Sequence, residues 1–268
     1  MINAVQSWGY QLQNIKPSKI AGCGHDLVVI DHCDDDRPFS PAEVRAMRSR
    51  PDGSCRLLLA YMSIGEAESY RFYWDKAWCD KNLRRQRPSW LGKENPDWDE
   101  NYAVKFWEPG WQQIIFDYAD RIVAAGFDGV YLDKVDAFED WSRKGLGHKD
   151  AMVDFVASIA ARVKAQRPGF LVVSQNGQQL ISNARFRNAI DAFAREDLFY
   201  GEDEDGERNE ADSISDSIAV LKRFAADGKP VFVVEYPRNA EQGRAMRREI
   251  AEQGFIALVA RRDLDTLA

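Results

Sequence analysis

Histidine is nearly absent from this sequence: His25, His32 and His148 are the only three in 268 residues. That scarcity leaves little from which to build a histidine metal centre or a Ser-His-Asp triad. His32 beside Asp31 is the exception, and it reads first as a hydrogen-bonded histidine at a strand end. Cys23, Cys33, Cys55 and Cys79 fall in separate segments without CxxC spacing, which argues against a thiolate metal site. Disulfides in an exported protein and free buried thiols both stay open. No GxGxxG follows a strand-like run, and neither GxxxxGK(S/T) nor GxSxG occurs. Nucleotide binding and esterase chemistry therefore have no local support. No apolar run reaches the ~18 residues of a membrane span. No basic segment leads into an apolar one as in a secretory signal, but a processed chain would read the same, so the compartment is open. Basic residues are outnumbered, 36 against 43 acidic, for a net charge of -7. A phosphate backbone needs a basic face, so nucleic acid is not an expected partner; a neutral or cationic ligand fits better.

What is present is a regular alternation of apolar strands with helices or long crossovers. The strands are expected at Tyr10 to Gln13, Leu27 to Asp31, Arg56 to Ile64, Gly129 to Leu132, Phe170 to Ser174, Ala189 to Ala194, Val231 to Tyr236 and Phe255 to Ala260. Several are continuous Val/Ile/Leu runs, the pattern of parallel strands buried on both faces. Ser40, Pro41 and Glu43 form a helix-starting capping box, and Gly126 and Gly228 stop helices. Eight such strands in a chain of this length describe an α/β fold, a single (β/α)8 TIM-type barrel occupying 1–268, which typically needs about 250 residues. A doubly wound open sheet is the alternative, because alternation alone does not show closure.

After the third strand comes a long segment, 67–110, without sustained apolar periodicity. Six of the eight tryptophans lie between Trp74 and Trp111. Most are expected to form a small core of their own. One or two, Trp107 first, are expected to stay exposed as flat platforms for a sugar ring. The acidic run at 201–210 reads as a solvated loop; Asp203 and Asp205 before Gly206 echo a calcium loop without its full spacing.

Barrel enzymes work at the C-terminal ends of their strands. Here those ends carry Asp31, Tyr61 with Ser63 and Glu66, Asp133 with Asp136, Gln175 with Asn176, Glu196, and Glu235 with Tyr236. An Asp after a strand is also common as a helix cap, so each alone is ambiguous. Together, carboxylates among aromatics and amides suit glycoside hydrolysis, where one acid protonates the leaving oxygen and a second carboxylate attacks the anomeric carbon or activates water.

Longer motifs carry a resemblance. YQLQ at Tyr10 to Gln13, YMSIGEAESYRFYW at Tyr61 to Trp74, VKFWEPGW at Val104 to Trp111, GFDGVYLDKVD at Gly126 to Asp136, QNG at Gln175 to Gly177 and VEYP at Val234 to Pro237 together resemble glycoside hydrolase family 114. That family comprises endo-α-1,4-polygalactosaminidases and related barrels. The resemblance implies a hydrolase of α-1,4-linked galactosamine polymers, with a catalytic Asp after the fourth strand and a catalytic Glu after the sixth. These fall on Asp133 and Glu196, with Asp197 and Glu202 near enough to compete for the second role. By strand-end placement, Tyr61, Ser63, Asp136, Asn176 and Tyr236 are expected to contact substrate.

The expected mechanism is retaining, with Asp133 as nucleophile and Glu196 as general acid/base. Retention calls for carboxyl groups roughly 5 Å apart, inversion for about 6.5 to 9.5 Å. The expected partner is an amino-sugar polysaccharide met by a monomer, with no cofactor, metal, membrane or nucleic acid. Two rivals stand beside it: a non-catalytic polysaccharide-binding barrel, and a divalent-metal hydrolase using Asp133, Asp136, Glu196 and Glu235 as oxygen ligands.

Overall fold

The computed structural model describes residues 2–34, 37–79, 86–142 and 148–267. Eight parallel strands form one sheet: β1 Trp8–Gln11, β2 Leu27–Ile30, β3 Leu57–Ser63, β4 Gly129–Asp133, β5 Leu171–Gln175, β6 Ala192–Glu196, β7 Val231–Glu235 and β8 Ile256–Val259. They pair in sequence order with no reversal, which is the order of a barrel and not of a doubly wound sheet. The barrel is nearly closed. At the seam, the Trp8 indole N–H donates to the Ile256 carbonyl at 3.1 Å, and the tail after β8 runs back so that Leu12 N donates to Leu264 O at 2.8 Å.

Two strands sit differently from the sequence expectation. The first ends at Gln11, because Leu12 and Gln13 direct their amides to the tail. The sixth starts at Ala192, because Asn183 caps a short helix, Ala184–Ala189, that absorbs its expected beginning.

Side chains alternate along each strand, so every second residue points into the barrel. The interior holds Trp8, Tyr10, Leu59, Tyr61 and Tyr131 together with the small Ala192 and Ala194. The rings stack into a floor: Tyr131 lies 6.3 Å from Trp8 and 5.1 Å from Tyr10, centroid to centroid. Gly129 faces the backbone of β5; a Cβ there would lie 2.5 Å from the Leu171 carbonyl oxygen. The alternate residues, such as Val28, Leu58, Val130 and Val172, face outward and are buried beneath helices. Those helices begin and end where their caps dictate. The Ser40–Glu43 capping box starts Pro41–Arg48, and Gly126, at φ 96°, closes Pro109–Ala125.

The Trp-rich segment after β3 has structure of its own, a three-stranded antiparallel sheet of Glu66–Glu68, Leu91–Glu94 and Asn101–Val104. Trp74, Trp78, Trp90 and Trp111 pack in succession at 5.2, 5.2 and 5.0 Å. The Trp111 indole N–H donates to Ile64 O at 2.8 Å, tying this aromatic core to the end of β3. At the same strand end, a Cβ on Gly65 would lie 2.2 Å from Lys134 O. Glycine there lets the turn after β3 lie against the turn after β4.

Candidate active site

The period of two that fills the barrel also composes the site. Tyr131 points inward, so Asp133, two residues on, does too. By the same rule Gln175 follows Val173, Glu196 follows Ala194, and Tyr236 follows Val234. Four neighbouring strands thus present Asp133, Gln175, Glu196 and Tyr236 at one mouth, and Tyr61 on β3 joins them.

One chain of hydrogen bonds links all five. Tyr61 OH donates to Asp133 Oδ2 at 2.8 Å. Gln175 Nε2 donates to Asp133 Oδ1 at 2.9 Å and to Glu196 Oε2 at 3.4 Å. Tyr236 OH donates to Glu196 Oε1 at 2.6 Å. Below them, Tyr131 OH donates to Gln175 Oε1 at 2.5 Å. Burial and the nearby charges of Asp133 and Asp197 push the Glu196 carboxyl up to about 7, against the opposing pull of the Tyr236 hydroxyl and Arg262. Glu196 therefore holds a proton near neutral pH, while two donors converge on the Asp133 carboxylate.

The two acids close to Glu196 in sequence are engaged elsewhere. Asp197, at φ 54°, takes both Arg262 Nη atoms at 3.0 Å, and Glu202 accepts from Ser213 Oγ at 3.0 Å. Asn176, at φ 57°, turns its Oδ1 to the Glu196 backbone N–H at 3.1 Å, so it braces the strand that carries the acid. Ser63 is buried and donates to Glu66 O at 3.2 Å, within the turn that follows β3. Asp136 lies on a single helical turn, Val135–Ala137, beyond Lys134. Burial raises its carboxyl to about 6, with Lys134 pulling down and Asp133 pushing up. Trp107 has one face stacked on His148 at 3.5 Å and its edge against Trp141 at 5.0 Å. Trp98, at the tip of the hairpin between Leu91–Glu94 and Asn101–Val104, is instead 58% exposed.

Gln175 appears in the sequence as a strand end, yet its central place follows only from the register of β4, β5 and β6. In a second group, Asp31 and the hydrogen-bonded His32 stand out in the sequence, but Arg71 and Glu68 do not. Arg71 donates through Nε to Glu68 Oε2 at 2.6 Å and through Nη1 to Asp31 Oδ2 at 2.5 Å. Asp31 also meets His32 Nδ1 at 3.2 Å, and Tyr118 OH meets the same nitrogen at 2.9 Å. Despite burial, Arg71 and His32 hold the Asp31 carboxyl down at about 2. Asp31, His32 and Cys33 are the one group with metal-ligand spacing among the described residues. Arg71 already pairs with that carboxylate, and burial together with Asp31 pushes the Cys33 thiol up to about 12. A cation there is thus opposed by a guanidinium already paired with the carboxylate. Glu235, one of the four ligands of the metal alternative, lies on the other face of β7 from Tyr236 and accepts from Phe199 N at 2.8 Å.

Arg71→Ala is expected to destabilise the fold by about 3–5 kcal/mol, because it leaves the buried Glu68 and Asp31 carboxylates without the guanidinium that both share. A urea midpoint lowered in proportion, at unchanged slope, is the measurement that checks it.

A (β/α)8 barrel with a carboxylate pair on inward strand ends two strands apart has the architecture of a glycoside hydrolase, and the comparison with known proteins is specific. The sequence matches glycoside-hydrolase family GH114 over residues 2–268, and the chain belongs to that family. An uncharacterised protein of Methanocaldococcus jannaschii is 36% identical across 97% of this chain and 77% of its own length. An uncharacterised protein of Deinococcus radiodurans is likewise 36% identical, across 99% and 83%. Among solved structures, the glycoside hydrolase domain of PelA from Pseudomonas aeruginosa superposes with a TM-score of 0.73 at 19% identity, covering 98% of this chain and 97% of that one. Aspergillus fumigatus Ega3, solved in complex with galactosamine, gives 0.69 at 17%, covering 98% and 94%. At such identities these two likenesses speak to the fold.

Proposed function

We propose that this protein hydrolyses α-1,4-linked galactosamine or N-acetylgalactosamine polysaccharide with retention of configuration, with Asp133 as nucleophile and Glu196 as general acid/base. The observation that carries the proposal is the shared amide. Both carboxylates accept from Gln175 Nε2, at 2.9 and 3.4 Å, so the two bonded oxygens are no farther apart than about 6.3 Å. That spacing suits direct attack and is tight for an intervening water. Asp133 attacks the anomeric carbon while Glu196 gives its proton to the departing glycosidic oxygen. Glu196, now a carboxylate, then takes a proton from the water that releases the sugar from Asp133.

The amino-sugar substrate is supported by family membership, by the galactosamine bound to the Aspergillus relative, and by charge. A net charge of -7 and the half-buried Asp136 beside the pair attract a polymer bearing ammonium groups, so cleavage of deacetylated polymer is expected to weaken at high salt. Product analysis after incubation with galactosamine polymers, wild type against Glu196→Gln, tests the proposal. Equal product from both proteins, or none from the wild type, overturns it. Binding without turnover would instead favour the non-catalytic polysaccharide-binding reading.

The pH dependence has a definite sign. The acid must enter the reaction protonated, so kcat/KM is expected to fall as pH rises through about 7. The Tyr236 hydroxyl favours the Glu196 carboxylate, so Tyr236→Phe is expected to move this alkaline limb to higher pH. A pH profile of both proteins checks it; a limb that stays or moves down refutes the assignment.

For grip on a long chain, Trp98 offers an exposed ring beside the exposed Asp97 and Asp99, while Trp107 has one face covered by His148. Trp98→Ala is expected to raise KM for long polymer about 2- to 10-fold, the ~0.5–1.5 kcal/mol of an aromatic contact. Trp107→Ala is expected to raise it less. Michaelis curves on long and short substrates separate the two.

A further inference from the structure

We infer that Gln175, oriented by Tyr131, is a positioning residue that sets the separation of Asp133 and Glu196 and serves the negative charge at both of its locations during the reaction; this rests on the carboxylate-pair reading above. A glutamine amide has one accepting and one donating end, and which faces the acids depends on what holds the other. Here the accepting oxygen takes the Tyr131 hydroxyl at 2.5 Å, so the NH2 group faces both carboxylates. Tyr131 is itself immobilised. It is 1% exposed, packed against Trp8 and Tyr10 in the barrel floor, and two residues before Asp133 on the same inward face of β4. The strand that carries the nucleophile therefore also orients the amide of the neighbouring strand. Precision of this kind comes from rigid elements and packed rings.

The chemistry explains why an amide suits this place. Before attack the negative charge sits on Asp133. When Asp133 bonds to the anomeric carbon and Glu196 gives up its proton, the charge passes to Glu196. One N–H of Gln175 faces each location, so the charge meets a preoriented donor before and after the transfer, and neither step needs the surroundings to reorganise. The amide has no proton to lose near neutral pH, so it keeps this role across the working range. A third carboxylate in its place would repel both acids.

Kinetics on the cleaved galactosamine polymer test the inference through Gln175→Met, which keeps the shape without the donors, and Tyr131→Phe, which touches neither acid. Gln175→Met is expected to lower kcat about 10²- to 10³-fold, as loss of a preorganised donor does, with KM within about twofold. Tyr131→Phe is expected to lower kcat in the same direction through misplacement of the amide. Both are expected to move the alkaline limb to higher pH, because a donor to the Glu196 carboxylate is lost or misaligned. A raised KM at unchanged kcat would make Gln175 a substrate contact and overturn the inference. So would a Tyr131→Phe protein with the kcat and pH limb of the wild type, and this second variant keeps the test intact if Gln175→Met fails to fold. Failure of the underlying reading looks different: Asp133→Ala and Glu196→Gln would then turn over like the wild type, whatever the Gln175 variants do.

Discussion

Glu196→Gln is expected to slow hydrolysis of galactosamine polymer about 10²- to 10⁴-fold, the range of a lost general acid/base. The size of the loss is expected to depend on the leaving group. A sugar alkoxide is a poor leaving group that needs the proton of Glu196, whereas a nitrophenolate departs without one. The first step should therefore survive on a nitrophenyl glycoside, and the covalent intermediate on Asp133 should accumulate, because no base remains to activate water. A small anionic nucleophile such as azide needs no such base. It is expected to restore turnover of the activated substrate and to give a glycosyl azide of retained configuration. Loss of activity equal on both substrate types, with no azide effect, would remove Glu196 from the acid/base role. The folded-state value of Glu196 is about 7 against an ordinary 4.5, so the folded protein binds the extra proton between those limits. The proton-linked stability is complete below about 4.5 and is lost as pH rises through about 7. Glu196→Gln removes that penalty, so its stability relative to wild type is expected to improve from pH 4.5 toward pH 8. Denaturant melts at the two pH values would show it.

Asp133→Ala is expected to produce the larger loss, and to do so on every substrate regardless of leaving group. No group is then in place to attack the anomeric carbon, and the help Glu196 gives to departure does not replace it. The cavity left by the missing carboxylate admits a small anion on the same face of the sugar. Azide or formate is therefore expected to rescue an activated substrate with a single displacement, giving the inverted product, opposite to the outcome with Glu196→Gln. The two rescue configurations together assign nucleophile and acid/base independently. Retained product from Asp133→Ala, or unimpaired cleavage by it, would reverse the assignment or end it. Tyr61 and Gln175 donate to this carboxylate, so Asp133→Asn also disturbs their bonds; alanine is the cleaner test.

Much of this was legible before the fold. Apolar runs such as Leu27–Ile30 and Val231–Glu235 announce themselves as buried parallel strands, and the acids at such ends mark the rim on which the candidate site is proposed. The less distinct sixth strand was placed early because Asn183 caps a helix there, a local signal that the weak apolar pattern of Ala189 to Ala194 hides. Trp107 stood out as a platform by type. Whether a ring is covered depends on a partner 41 positions away, His148, and no local feature of the sequence reports it.

The sequence by itself determined the number of the strands and their places along the chain, the acid-rich character of their ends and, through its motifs, the family and the two carboxylates to examine. Those are properties of composition, period and short-range pattern, and each is written within a few consecutive residues. Only the tertiary structure decided which of the neighbouring acids faces Asp133, that Asp197 belongs to Arg262, and that Gln175 stands between the pair with Tyr131 behind it. These follow from the register and barrel position of strands 20 to 70 residues apart. A one-residue shift would turn each of these side chains to the opposite face.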